Sequence, residues 1–596
     1  MNKLTLTSIS LLSIHSSIVS AEPQELSRQV VVADRVAGSI THSAQVMIIE
    51  REEIERSGAQ SIVDLLKHKE GIQFSSNGGI ASTTNLYING LDSKQIVFLI
   101  NGIRTGSATT GGSPFQLIPV DQIERIEIFK GSRATIYGAN AQGGVINIIT
   151  RHSGQSNSVS ASISSQSTRE VSLRVGQHRD NWSSYLNLTH NESDGYNIRT
   201  EGDDDKDGFR RNGISSGASL QISPEHRAGF DLQANIGFNE YDNTFGLDDR
   251  QDTDNRTYTA WYEFVSERLN INLQTGSAWD RSWNFEDGQP RRTGSHFATK
   301  QQNTLINSAF HYNFSHTVLF GLDHKKLDVS SSSAKYDETD ISNQGAYIGY
   351  RFTNEYAILE ASSRYDNNEQ FGDFWSFDLS AILTFNNGDS MGFGHSTGFR
   401  APTFNELYFP NFGNEDLKVE QSKIWSAHYT APWATGLFRV NGQRAIIDNQ
   451  IVSNPNNSWK PDNISESAIK SISASIEQNI TNELSIRLVQ DWLNAKDLTT
   501  GQQLLRRSPR SSKGVLSWTN ASWYAEVDAL YRSESKDVNN STNPSYVVFS
   551  TIIRYQLNPK GSIGLRIDNV GDRDYETIAG YPEQGRLVQL SGRYHF

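Results

Sequence analysis

The chain has 596 residues, a formal net charge of −13, 46 glycines against 14 prolines, and no cysteine. At 36% hydrophobic residues and a mean hydropathy of −0.53 it is too polar for a set of ordinary globular cores, while 10% aromatic residues are too many for a disordered chain. The missing cysteine excludes disulfide scaffolds, thiolate metal centres and cysteine nucleophiles, and the acidic balance argues against nucleic acid as a partner.

Met1-Asn2-Lys3 gives a short positive start, and residues 4–19 follow without a charge. Val19-Ser20-Ala21 then places small residues at −3 and −1 of a cleavage point before Glu22, so residues 1–21 read as an export signal. Export without cysteine suits a bacterial envelope protein, in which oxidation cannot scramble the chain. Beyond this segment no uncharged apolar run approaches the ~18 residues of a membrane helix. Ser27, Arg28, Gln29, Val30, Val31, Val32 and Ala33 form a short β-prone run with no local strand to pair with.

From 22 to 152 the pattern is mixed α+β, the size of one small domain. Ser61 and Asp64 resemble a capping box ahead of apolar Ile62, Leu65 and Leu66, with Gly71 as a stop. Ile96 to Ile100 is a continuous apolar strand ended by the turn dipeptide Asn101-Gly102. Ile126-Glu127-Ile128 and Val145 to Thr150 predict further strands.

From 153 to 596, a stretch of 444 residues, the helical period gives way to period two. Val171, Leu173 and Val175 alternate with polar or small neighbours, as do Leu484, Ile486 and Leu488, and Ile563, Leu565 and Ile567. Strands with one apolar and one polar face predict a transmembrane barrel, lipid outside and a wet lumen inside. At about 20 residues per strand and connection, the length gives roughly 22 antiparallel strands. A lumen that wide carries a plug, and the α+β domain at 22–152 supplies it. The polar stretches 197–212, 240–256 and 536–544 read as extracellular loops. A soluble propeller array predicts blade repeats, which the sequence lacks. Gly213-Ile214-Ser215-Ser216-Gly217 and Gly394-His395-Ser396-Thr397-Gly398 match the nucleophile-elbow spacing, but neither has the strand–turn–helix context that motif requires. No zinc-protease or phosphate-loop motif accompanies them, so catalysis is not expected.

The run Gly131-Ser132-Arg133-Ala134-Thr135-Ile136-Tyr137-Gly138 through Gly143-Gly144-Val145-Ile146-Asn147-Ile148-Ile149-Thr150 resembles the plug signature of TonB-dependent outer-membrane receptors. Gly398-Phe399-Arg400-Ala401-Pro402 with Asn414-Glu415-Asp416-Leu417 is similar to their mid-barrel boxes, and Asn569-Val570-Gly571-Asp572 with the terminal Phe596 to their C-terminal pattern. Asp574-Tyr575-Glu576-Thr577, Gly580-Tyr581, Gly585-Arg586, Leu504-Leu505-Arg506-Arg507 and the run 73–79 resemble the cobalamin (vitamin B12) receptors of that family. Two positions depart from the family: Ile88-Asn89-Gly90 stands where Ile-Arg-Gly is common, and Ile100-Asn101-Gly102 where Ile-Asp-Gly is common. Both put plug–barrel salt bridges in doubt.

The resemblance implies a transporter in the outer membrane, with lipid and lipopolysaccharide around a monomeric barrel. Ser27 to Ala33 become the TonB-binding segment, captured by TonB, with ExbB and ExbD, through strand addition. Ser76, Asn77, Gly78 and Ser82, and Thr105 and Ser107, lie in Gly/Ser/Thr-rich plug loops suited to a close backbone approach to a large ligand, and Tyr581 falls where the family places a substrate-contacting tyrosine. A girdle aromatic is the competing reading of Tyr581. Asp203, Asp205 and Asp207 with Gly208 follow the start of a calcium loop but lack its closing Glu, since Ile214 stands there. Tyr241, Asp242 and Asp248 offer further oxygen ligands, and the resemblance implies calcium ordering of these loops; the alternative is a solvated acidic loop. The expected ligand is cobalamin. An iron–siderophore complex is the runner-up, and haem falls behind because no histidine lies from Phe399 to Leu417. A passive porin or a surface adhesin would need neither plug nor TonB-binding segment.

Overall fold

The computed structural model describes residues 46–151, 157–201, 204–242, 248–454 and 457–596. The export signal, the run from Ser27 to Ala33 and Asp203 lie outside them. Twenty-two strands, from Ser158–Ser164 to Leu587–His595, form one closed barrel in which each pairs antiparallel with its chain neighbour. The last strand closes on the first, running from Gln589 opposite Ser164 to His595 opposite Ser158. Closure leaves no unpaired strand edge, a condition for crossing lipid with strands. Among the described residues no helix is long and apolar enough to cross a membrane.

The period-two pattern sorts side chains as expected. Val171, Leu488, Ile563 and Leu565 are exposed on the outer wall, as are Leu590 and Phe549, while Arg174, Asn187, Asp231, Gln233 and Asn307 are buried toward the lumen. Connections at one end are short turns and at the other long loops, which fixes the latter as the extracellular end. Both nucleophile-elbow matches lie inside barrel strands, Asp207–Gln221 and Ser390–Arg400.

Of the three predicted loop stretches, 240–256 is largely strand and 197–212 is strand only from Asp207 on. Asp207–Gln221 carries the end of the first stretch, and His226–Asp242 and Asp248–Val265 carry most of the second. These strands rise beyond the lipid band, where an outward face no longer needs to be apolar, so polarity there did not mean loop. The third stretch holds a small hairpin, Ser535–Lys536 with Thr542–Asn543.

Inside the barrel sits the plug. Its five-stranded sheet runs Val46–Glu50, Arg125–Lys130, Gly144–Ile149, Ile96–Ile100, Ile103–Thr105, with the third and fourth strands parallel. Ile49, Ile126, Ile128, Ile146, Ile148, Phe98 and Phe115 fill the core between this sheet and two helices. The helix Ile62–Leu66 begins as predicted, with Ser61 Oγ accepting from Asp64 N. It ends at Leu66, five residues before Gly71, which instead takes φ +70° ahead of the strand Ile72–Ser76. The helix Arg51–Ser57, closed by the left-handed Gly58, had no signal in the sequence reading.

Asn89 and Asn101 account for the two departures from the family pattern. Each is followed by glycine, and all four residues have positive φ (51°, 86°, 49° and 88°), the two-residue turn that matches strand twist and that Asn-Gly favours. Asn101 also exchanges hydrogen bonds with Thr150 (2.9 Å each way), and its carbonyl accepts from Gln274 of the barrel (2.7 Å). Asn89 donates to Gln443 (3.1 Å). Ionic plug–barrel links arise elsewhere: Arg133–Glu360 (3.1 Å), Arg151–Asp231 (2.8 Å) and Asp121–Arg593 (2.6 Å). Asp121 also accepts from Ser160 and Ser172, so one plug carboxylate touches the first, second and last barrel strands. Burial opposes its charge, but Arg593, Arg51 and the two hydroxyls hold its carboxyl well below the usual range.

Candidate ligand-binding site

The outward plug loop after Ile72–Ser76 is folded against extracellular loops. Ser76 N donates to Thr577 Oγ1 (2.9 Å), and Gly79 N to Tyr196 Oη (2.9 Å). Asn77 N closes the loop on the Thr83 carbonyl (3.1 Å), and the buried Ser82 accepts from Thr84 through its carbonyl (3.1 Å). Gly78 has φ +77°, and a Cβ there would lie 2.9 Å from Ile198 Cβ and 3.0 Å from the Pro582 carbonyl, so glycine is required twice over. Tyr581 belongs to the hairpin Glu576–Ile578 with Tyr581–Pro582, and the Arg199 guanidinium lies 5.9 Å from its ring centre. This position in an extracellular loop sets Tyr581 apart from the girdle aromatics. Ser76, Asn77, Gly78 and Ser82 thus share a neighbourhood with the loop that carries Tyr581.

Thr105 and Ser107 lie elsewhere. They line a cavity between the plug loop 105–113, the barrel wall and the loop after Arg400; its volume is about 90 Å³, against ~300–1,000 Å³ for a typical small-molecule site. None of Ser76, Asn77, Gly78, Ser82 or Tyr581 lines it. The loop is pinned from both sides. Ala108 N donates to Thr299 Oγ1 (2.9 Å) and Gln301 to the Gly106 carbonyl (2.6 Å), while Phe404 N and Asn405 N reach the carbonyls of Ala108 and Thr109 (3.1 Å each). A large ligand therefore requires these loops to part.

The sequence reading found the box at Arg400 but not its partners. Arg400 is 1% exposed and binds Glu406 (3.0 Å) and Glu420 (2.8 Å). Glu406 lies on the loop helix Phe404–Tyr408, where it completes a capping box with Thr403, and it accepts Lys94 of the plug (2.7 Å). Glu420 accepts Gln95 of the plug (3.0 Å). Burial works against the Glu406 charge, yet Arg400 and Lys94 outweigh it and hold the carboxyl well below the ordinary range. The arrangement latches the plug segment 92–95 to an extracellular loop through carboxylates that a barrel arginine orients.

The acidic pattern also assembles across loops. Carboxylate oxygens of Asp205, Asp207 and Asp242 lie within 4.8 Å of one another, with Asp207 and Asp242 buried and Asp205 exposed. Two oxygens bound to one Ca²⁺ at 2.3–2.6 Å lie at most ~5 Å apart, so the donor set fits a hard cation. Asp248 pairs with Asp242 across the strand ends. The Tyr241 phenol is directed at Asn284 Oδ1 (3.4 Å), and Asn197 uses its side chain to accept Arg199 N (2.8 Å).

A TonB-dependent receptor plug domain model matches residues 39–145, and a TonB dependent receptor-like β-barrel model matches residues 132–570. The chain belongs to the TonB-dependent receptors. Such receptors reside in the outer membrane, interact with TonB, bind small-molecule ligands and are transporters, not enzymes. This receptor is similar over its full length to the vitamin B12 transporter BtuB of Photobacterium profundum, at 29% identity over 617 aligned positions covering 100% of both chains. It is 28% identical to the BtuB of Vibrio cholerae serotype O1, covering 97% of this chain and 96% of that one. Its fold matches the siderophore receptor PirA of Acinetobacter baumannii (TM-score 0.78, 17% identity, 93% and 98% coverage). It also matches the FrpB iron transporter of Neisseria meningitidis (TM-score 0.80, 11% identity, 93% and 99% coverage).

Proposed function

We propose that the receptor imports cobalamin, with the run from Ser27 to Ala33 as the segment TonB captures. Similarity to vitamin B12 transporters across the entire chain, at 28–29% identity, carries this reading. The siderophore receptor and the iron transporter that share its fold do so at 17% and 11% identity, a likeness of architecture alone. The ligand first meets the loops that carry Ser76, Asn77, Gly78, Ser82, Thr105, Ser107 and Tyr581, which part to admit it. A pull on the TonB-binding segment, transmitted through ExbB and ExbD, then loosens the plug within the barrel. Asp205, Asp207 and Asp242 would hold calcium, with Asp203, Asp248 and Tyr241 as the further oxygen ligands that the sequence offers. A bound cation neutralises carboxylates that otherwise repel and ties the segment that carries Asp205 to the strand end at Asp242.

Isothermal titration of the purified receptor with cyanocobalamin, with and without calcium, tests both parts. Saturable binding strengthened by calcium is expected. Absence of heat at micromolar ligand would overturn the cobalamin reading, and a calcium-independent signal would overturn the metal site alone. Deleting 27–33 is expected to abolish uptake while leaving this binding intact; unchanged uptake would remove the energised step.

A further inference from the structure

The cavity lined by Thr105 and Ser107 has a composition that the ligand-loop argument does not use. Its polar lining consists of hydroxyls and amides, among them Gln301, Asn343 and Asn368, with two cations, Arg104 and Lys325. No aspartate or glutamate lines it among the described residues, in a chain of net charge −13. Arg104 reaches into the plug, donating to the carbonyls of Tyr137 (2.6 Å) and Ala139 (2.9 Å). Lys325, on the strand His316–Asp328, makes no hydrogen bond or ion pair through Nζ among the described residues. Two carboxylates of the barrel wall act on its charge, Asp323 and Asp366, and both also accept from Arg364, at 2.6–2.9 Å.

Lys325, Arg104 and Arg364 thus set three cations against two carboxylates, and an anion entering the cavity would balance the remainder. The surroundings of Lys325 suit an anion: a lining of hydroxyls and amides in place of carboxylates, a second cation, and a glycine-containing loop that lets main-chain groups approach. With its loops in place the cavity has room for a group and not for a whole nutrient complex. We propose that this cavity is the subsite for an anionic group of the transported ligand, a phosphodiester or a carboxylate, and that Lys325 supplies the charge that selects it. The inference rests on the chain being a nutrient receptor. It does not depend on the nutrient being cobalamin.

Two measurements on the full-length receptor in detergent test it. In the first, thermal unfolding is followed in millimolar inorganic phosphate and in chloride of equal ionic strength. The wild type is expected to show a saturable stabilisation by phosphate that Lys325→Gln loses and Lys325→Arg keeps. No phosphate response in the wild type, or an equal response in Lys325→Gln, would overturn the subsite. The second compares cyanocobalamin with cobinamide, which lacks the phosphodiester. Lys325→Gln is expected to bind cyanocobalamin about tenfold more weakly and cobinamide unchanged. Equal loss for both would mean general damage to the loops and would also overturn the proposal. A wild type that responds to phosphate and binds neither corrinoid removes the cobalamin reading and supports the subsite with another anionic ligand.

Discussion

Arg400 sits between two carboxylates at 1% exposure, so removing either one has an asymmetric effect. Glu406→Gln leaves a buried guanidinium with Glu420 alone and deprives Lys94 of its partner. Breaking a buried pair in this way costs about 3–5 kcal/mol locally. The expected result is faster amide exchange in the helix Phe404–Tyr408 and in plug residues 92–95, with the barrel strands unchanged. The same pair gives a pH dependence of known sign. The folded pKa of Glu406 is depressed, so its contribution is complete above the unfolded carboxylate value of ~4.3 and is lost as pH falls through the folded value. Acidification below about pH 4 should therefore weaken the latch progressively, read as exchange at Phe404–Tyr408 that is slow at neutral pH and keeps rising as the acid strengthens. The sequence showed Arg400 within a motif but not what it holds. Glu406 and Glu420 are near it in sequence, whereas Lys94 and Gln95 come from another domain, and no local period encodes that meeting.

Among the elements, strands were the most legible. Alternation at Val171, Leu488 and Ile563 is a direct imprint of lipid on one side and water on the other, so strand number and barrel type followed from it. The loops were less so, because the same imprint stops at the membrane boundary while the strand does not. Residues 248–256 show this: they are as polar as a loop and are paired from Asp248 onward with Asp242 and its neighbours. The acidic residues were found by composition, but their convergence depends on Asp207 and Asp242 standing on adjacent strands that rise far enough to bring them together. On the calcium reading, chelation should speed proteolysis within 197–206, and Asp242→Asn should show the fast rate with or without calcium. Cleavage insensitive to chelation in the wild type would contradict it.

At the level of the whole molecule, transport requires a plug that is fixed when idle and loosened when pulled. The absence of cysteine allows a clean lock to be built. Ser362 Oγ and Thr135 Oγ1 are 2.9 Å apart across the plug–barrel boundary, close enough for a disulfide between residues at these positions. The double variant Thr135→Cys/Ser362→Cys should bind ligand normally when oxidised, transport none, and regain uptake on reduction. Uptake by the oxidised form would mean that the plug helix Ala134–Tyr137 need not move. The two-domain plan itself was readable from the change of period near 152. The seating of the plug was not, because Asn89 and Asn101 stand where ionic anchors are common and other residues supply the anchorage.

Asp121 touches the first, second and last strands of the barrel at once, and those strands are synthesised at opposite ends of a long stretch of chain. Bringing them together is the least local pairing in the fold and therefore the last and slowest to form. A carboxylate already in place at that junction draws Arg593 toward Ser160 and Ser172, so the plug serves as a template for sealing the wall around it. Maturation then has a built-in order: a cylinder that closes without its plug lacks the group that aligns its two ends, and empty, leaky barrels are disfavoured as the membrane acquires the protein.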